Sequence, residues 1–232
     1  MTEWWLWMYV AAMASGVVLF SRWRADPRGV PPSEYRVAIA VPLWSGSWYL
    51  VLALGGGRAE VAGHTLYWAR YVDWAVTSPL LLVALMLTAT HSLPGRRWGL
   101  AGALTGTNLV VFVCGLTAEL AADATIRYTL FTMGVLAFLG LYGLIWGPLR
   151  THAQRQPAGI AAVYTEAALL LSVLWVGYPL FWMIGPAGVG LVGSATTSLL
   201  YVLLSILTKV GWSILDLGRL RALSDRGHLT VV

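Results

Sequence analysis

The sequence predicts an all-α membrane protein, a bundle of seven transmembrane helices with its N-terminus outside and its C-terminus in the cytoplasm. Composition is the first observation behind this. Of 232 residues, 58% are hydrophobic and only 11% charged, against about 25% charged in soluble domains. The second is the recurrence of apolar runs long enough to cross a bilayer, at 3–22, 34–55, 66–90, 96–117, 123–148, 159–183 and 190–218. The third is where the arginines fall. Arg22, Arg24, Arg28, Arg96, Arg97, Arg150, Arg155, Arg219, Arg221 and Arg226 sit in or beside alternate loops or the C-terminal tail, while the other loops carry Arg58 and Arg127. Short cytoplasmic loops are enriched in basic residues, which sets the orientation.

The first run opens with an acid, lacks a basic leader and ends in "SRWRADPR". It therefore reads as a helix with a basic inner stop and not as a cleaved signal peptide. Trp4, Trp5 and Trp7 are placed to form an outer aromatic belt. "DPRGVPPS", "GGGRAEVAGHT", "HSLPGRR", "TAELAAD", "GPLRTHAQRQPAG" and "GPAGVG" supply the breaks, since proline and glycine punctuate helices. Residues 1–220 form one membrane domain and 221–232 a short polar cytoplasmic tail. The single Cys114 excludes a disulfide framework and reads as a small core residue. His64, His91, His152 and His228 lie near loops or in the tail without ligand spacing, so no metal site is expected. The net charge of +5 fits the cytoplasmic rim of a membrane protein better than a nucleic-acid partner; the expected surroundings are a lipid bilayer.

Fourteen of the fifteen basic residues are arginine, and the one lysine, Lys209, lies inside an apolar helix. Asp73 and Asp216 are similarly misplaced. Ionisable residues within a bilayer are costly and mark function. Arg70 and Thr77 share a helical face with Asp73 at spacings of three and four. Asp73 and Lys209 form either a buried structural ion pair or the two halves of a reactive site. Burial lowers a lysine's pKa and frees its amine for Schiff-base chemistry, and a protonated Schiff base needs an anion nearby. Trp175, Tyr178 and Trp182 line one helical face. They are either plain core or, with Trp74, a sandwich for a flat conjugated ligand.

"RYVDWAVTSPLLL", "WVGYPLFWMIG" and "LTKVGW" resemble the third, sixth and seventh helices of the microbial (type I) rhodopsins, and the resemblance covers nearly the whole chain. It implies that Lys209 carries all-trans retinal as a Schiff base, that Asp73 is the counterion, and that Arg70 is an extracellular-side gate. It places Trp74, Thr77, Tyr49, Tyr71, Ser78, Leu81, Phe131, Gly134, Phe138, Trp175, Tyr178, Pro179, Trp182, Ser205 and Thr208 in the retinal pocket, with Leu81 favouring green absorption. Ser78 and Asn108 would pair between the third and fourth helices. A homo-oligomer is implied, trimers being common in the family.

Fold does not decide which ion moves or in which direction. Outward pumps of the bacteriorhodopsin type carry a second carboxylate eleven residues past the counterion, about 16 Å further along the helix. Here that position is Ala84. Ser205 stands in place of their second counterion, and Ala187 and Thr197 in place of their release glutamates. Asp216, seven residues past Lys209, is either a helix-end acid, solvated or paired with Arg219 or Arg36, or a proton acceptor on the cytoplasmic side. The pattern is closest to the xenorhodopsins, which are light-driven inward proton pumps, although those usually carry proline at position 205. Glu34 is either a solvated helix-cap acid or part of a cytoplasmic exit, and Glu166 reads as structural. The alternative is a sensory rhodopsin signalling to a separate transducer. Asp73 argues against a chloride pump, and Asp73, Thr77 and Ala84 differ from the sodium-pump triplet.

Overall fold

The computed structural model describes residues 3–61, 63–95 and 98–225. Arg96, Arg97 and residues 226–232 of the expected tail, with Arg226 and His228, lie outside them. Seven helices are long and apolar enough to span a bilayer: α1 Trp4–Ala25, α2 Pro32–Ala53, α3 Trp68–Ala89, α4 Trp98–Leu120, α5 Ala124–Ala153, α6 Ala158–Ile184 and α7 Ser194–Ser224. In hydrocarbon every backbone N–H and C=O must be satisfied within the protein. Helices achieve this segment by segment, and the chain is a multi-pass membrane protein.

The ends are fixed by polar clamps. At one end Tyr67 donates to Glu3 at 2.6 Å, Arg58 pairs with Glu3 at 2.9 Å and the Trp5 indole donates to Ser198 at 3.3 Å. At the other, the buried Arg221 donates to the Trp23 carbonyl at 3.0 Å, to the Tyr35 hydroxyl at 2.9 Å and to the Asp26 carbonyl, so α7 ties down the turn between α1 and α2. The first is here termed the hairpin end, because an antiparallel pair, β1 Ala59–Val61 and β2 His64–Leu66, covers it. The bundle is all-α as expected; this short hairpin is a feature of the loop between α2 and α3 that the expected loop reading of "GGGRAEVAGHT" does not include. Its strands are three residues each, too short to show alternation among glycines. Gly57, at φ +72°, lets it dock, since a Cβ there would come within 2.5 Å of the Ala69 Cβ.

Several helices run longer than expected. α1 continues to Ala25 and α5 to Ala153, so "GPLRTHA" is helical. Pro148 falls in a π-helical turn, Ile145–Leu149, which absorbs the proline without ending the helix. The Ile145 carbonyl accepts from the buried Tyr164 hydroxyl at 2.5 Å. α7 runs past the expected boundary at 220. It holds a second π turn, Leu207–Gly211, centred on Lys209, so the helix is reshaped there without a proline at 205. Asp123 caps α5, accepting from the Ile126 N–H at 2.9 Å.

The helices do not share the core equally. Half of α7's apolar window and 44% of α3's is buried, against 17% in α4 and in α5. α3 and α7 are the axis of the bundle, and they carry Asp73 and Lys209. The largest apolar cluster lies between them and α6, with Leu82, Leu85, Leu171, Trp175 and Trp212 at its centre.

Candidate functional site

Lys209 is 1% exposed and Asp73 fully buried, and the two form an ion pair. The ammonium has three protons to place. Besides Asp73, it donates to Ser45 Oγ at 2.8 Å and to the Tyr9 hydroxyl at 3.1 Å. Tyr9 and Ser45 are themselves 2.6 Å apart, and the Tyr9 and Tyr49 rings stack at 3.7 Å beside Nζ. Thr77 donates to the Asp73 carbonyl at 2.9 Å and to its Oδ1 at 3.3 Å. Removing one partner from such a buried pair costs about 3–5 kcal/mol, because the other charge is left uncompensated. Tyr9 and Ser45 are unremarkable in sequence, one lying in a tryptophan-rich helix and the other in "LWSGSWY".

A cavity extends from Lys209 between α3, α4, α5 and α6. Tyr71, Trp74, Ser78, Leu81, Phe131, Gly134, Phe138, Trp175, Tyr178, Pro179 and Trp182 line it, together with Asn108, Val111, Phe112, Gly115, Val135 and Tyr201. Tyr49, Thr77, Ser205 and Thr208 do not. Tyr49 is taken up by its stack on Tyr9 and Thr77 by Asp73. Ser205 and Thr208 bind the Tyr178 hydroxyl at 3.1 and 3.0 Å, holding a wall residue from behind. Ser78 and Asn108 face the same cavity, but no hydrogen bond joins them among the described residues. Gly134 brings α5 against α4, where an added Cβ would sit 3.2 Å from the Cys114 Cβ. Trp74 meets Tyr178 edge-on at 5.1 Å, and Phe131 stacks on Trp182 at 4.4 Å. Aromatic walls with a primary amine at one end fit a flat, conjugated, apolar aldehyde such as retinal, which Lys209 would hold as a Schiff base.

Toward the hairpin end the Arg70 guanidinium lies among rings, 4.7 Å from Tyr201, 4.8 Å from Tyr67 and 5.8 Å from Trp74. Among the described residues it has no carboxylate within ion-pair distance. The next residue of α3, Tyr71, points elsewhere and donates to Glu119, and His64 Nε2 is 3.8 Å from the same carboxylate. Glu119, His64, Arg70, Ala187 and Thr197 border one small cavity. The acid absent at 187 and 197 is thus met by one from α4. It went unread because "TAELAAD" looks like a loop, whereas α4 runs to Leu120. Just outside the spans, burial and then the hydrogen bond to Glu3 push the Tyr67 phenol up to about 12.

On the other side of Lys209, Asp216 is 3% exposed. Its two oxygens accept from Thr88 Oγ1 at 2.9 and 3.1 Å, so it is neither solvated nor paired with Arg219 or Arg36. Arg219 instead pairs with Glu166 at 2.9 Å on the surface. Glu34 is not a solvated cap acid either. It is 5% exposed, and its Oε1 lies 2.7 Å from His91 Nδ1. Gln156 fastens this region, donating to the Thr88 carbonyl at 3.0 Å and accepting from the Ser92 N–H at 2.9 Å.

The family described as "Bacteriorhodopsin-like protein" matches residues 1–223. Sensory rhodopsin-2 of Natronomonas pharaonis is 34% identical, over 91% of this chain and 86% of its own. Archaerhodopsin-2 of Halobacterium sp. (strain aus-2) is 32% identical, over 77% and 69%. The crystal structure of thermophilic rhodopsin from Rubrobacter xylanophilus superimposes with a TM-score of 0.90 at 32% identity, covering 98% of this chain and 99% of that one. With its seven spans, buried lysine–carboxylate pair and aromatic cavity, the chain belongs to the bacteriorhodopsin-like family and is a microbial rhodopsin, a retinal-binding, light-driven ion transporter of the membrane and not an enzyme.

Proposed function

We propose that this rhodopsin moves protons inward, releasing the proton of Lys209 Nζ toward the cytoplasm through Asp216 and restoring it from the extracellular side. The observation that carries the reading is the buried Asp216 carboxyl, held by Thr88 on the opposite side of Lys209 from Asp73. All-trans retinal, bound to Lys209 as a Schiff base, would supply light absorption and an isomerisation. The chain's own residues supply the rest. Asp73 stays ionised opposite Nζ, and Thr77 holds its orientation. Asp216 takes up the proton about 10 Å along α7. No carboxylate competes from α3, where position 84 is alanine. Arg70, Tyr71 and Glu119 border the return path. The arginine distribution assigns the C-terminal end to the cytoplasm and the hairpin end to the outside.

A second reading, a sensor that signals to a separate transducer, is favoured by the similarity to sensory rhodopsin-2. There the same internal proton transfer would serve signalling. The external pH of an unbuffered suspension of retinal-fed cells under green light separates the two. Alkalinisation abolished by a protonophore is the outcome expected of inward transport. Acidification overturns the direction, and pigmented cells without any pH change favour the sensor.

A further inference from the structure

We infer that His91 and Glu34 together form the proton-leaving station at the C-terminal end, taking the proton that Asp216 receives and passing it to solvent; this rests on the reading of Asp216 as acceptor. One short stretch at the end of α3 makes the connections. Thr88 donates to Asp216, and three residues later the His91 imidazole meets Glu34 at 2.7 Å. The Glu34 carboxylate is within electrostatic reach of Asp216, and its second oxygen, Oε2, is buried with no hydrogen-bond partner among the described residues. The His91 side chain is 7% exposed although it lies beyond the helix. Gln156, from the turn between α5 and α6, binds the Thr88 carbonyl and Ser92 on either side of it and so turns the ring inward.

Among the described residues, two arginines of α7 at this end are engaged elsewhere. Arg219 pairs with Glu166, and Arg221 with Asp26 and Tyr35. The group left facing Glu34 is an imidazole, the side chain that gains and loses a proton near neutral pH. A carboxyl–imidazole contact of this length passes a proton without rearrangement. In each cycle Asp216 loses one proton, the Glu34–His91 pair gains one, and the pair gives one to water, so every group returns to its starting charge. A lone surface-clamp role for the pair would give the same fold but no effect on proton timing.

Timing is therefore the test. Purified pigment with retinal is flashed in the presence of a soluble pH-indicator dye, and the visible absorbance change that reports loss of the Lys209 Nζ proton is followed alongside the dye. In His91→Gln and Glu34→Gln the absorbance step is expected at its usual rate, with the dye signal delayed roughly tenfold or more. Added imidazole is expected to restore the His91→Gln signal, which a structural clamp would not permit. Unchanged dye timing in either variant overturns the inference. Should His91→Gln form no pigment, Glu34→Gln reads the same step. Asp216→Asn keeps the two claims apart. If it releases protons normally, the acceptor reading fails; if it alone loses release, the acceptor stands and the station falls.

Discussion

The two sides of Lys209 are built from opposite materials. Toward the hairpin end the Lys209 amine meets the Asp73 carboxylate, and beyond it an arginine enclosed by aromatic faces. Toward the C-terminal end lie two buried carboxyls, Asp216 and Glu34, joined to a hydroxyl and an imidazole. Under the inward reading proposed above, a site with a carboxylate facing the amine on one side and proton-accepting groups on the other would have a built-in direction. Burying Asp73 is tolerable because it is paired and hydrogen-bonded, whereas among the described residues Asp216 has only the Thr88 hydroxyl to offset its charge. Charge without a cation in an apolar interior is costly, so a proton arriving at Asp216 relieves a cost that one arriving at Asp73 would not.

The largest way to break this contrast is to remove its centre. Lys209→Ala is expected to give no pigment when retinal is supplied, read as complete loss of visible absorbance. Asp216→Asn tests one side alone. It should leave colour nearly intact while slowing light-driven proton movement roughly 100-fold, the scale of a lost proton-transfer group. Glu119→Gln tests the other side. The first proton step should keep its rate while recovery of the dark state slows by roughly tenfold; a slowed first step instead would mean the two sides are not independent. Ser45→Ala removes one neutral acceptor from Nζ and should cost about 1–3 kcal/mol, read as faster thermal bleaching in the dark.

The smallest expected effect lies outside the membrane. Tyr67 has its folded-state pKa raised from 10.0 to about 12. The folded protein therefore holds that proton more tightly than the unfolded chain does. The stabilisation is fully present below pH 10 and is lost as pH rises toward 12. Tyr67→Phe should flatten the alkaline fall of the thermal midpoint across that window.

Much of this was legible because it is local. Apolar length gives the spans, and a lysine or aspartate amid leucines needs no neighbour to look misplaced. A spacing of seven residues from Lys209 to Asp216 puts them along one helix whatever the rest of the bundle does. The partners were not legible. Tyr9 and Ser45 meet Lys209 from two other helices, and single-span patterns do not encode which heights align across a bundle. Glu119 and His91 were hidden by their positions near helix ends, where acids and histidines usually face water. The π turn around Pro148 hid the length of α5, because proline reads as a terminator unless the helix can widen. Tyr49, Thr77, Ser205 and Thr208 were placed near the right spot but one layer behind the cavity wall.

The uneven sharing of the core between helices gives the cavity a hard wall and a soft one. Its α3, α6 and α7 sides are locked by hydrogen bonds such as Tyr178 to Ser205 and Thr208, and Trp212 to the Ala167 carbonyl. Its α4 and α5 sides are mostly turned away from the rest of the bundle, so in a bilayer they would be held by their surroundings without directional bonds. Exchange of lipid for detergent would therefore loosen the end of the cavity far from Lys209 first. The pigment should change tint before it bleaches, making its colour a gauge of the bilayer's grip on the protein.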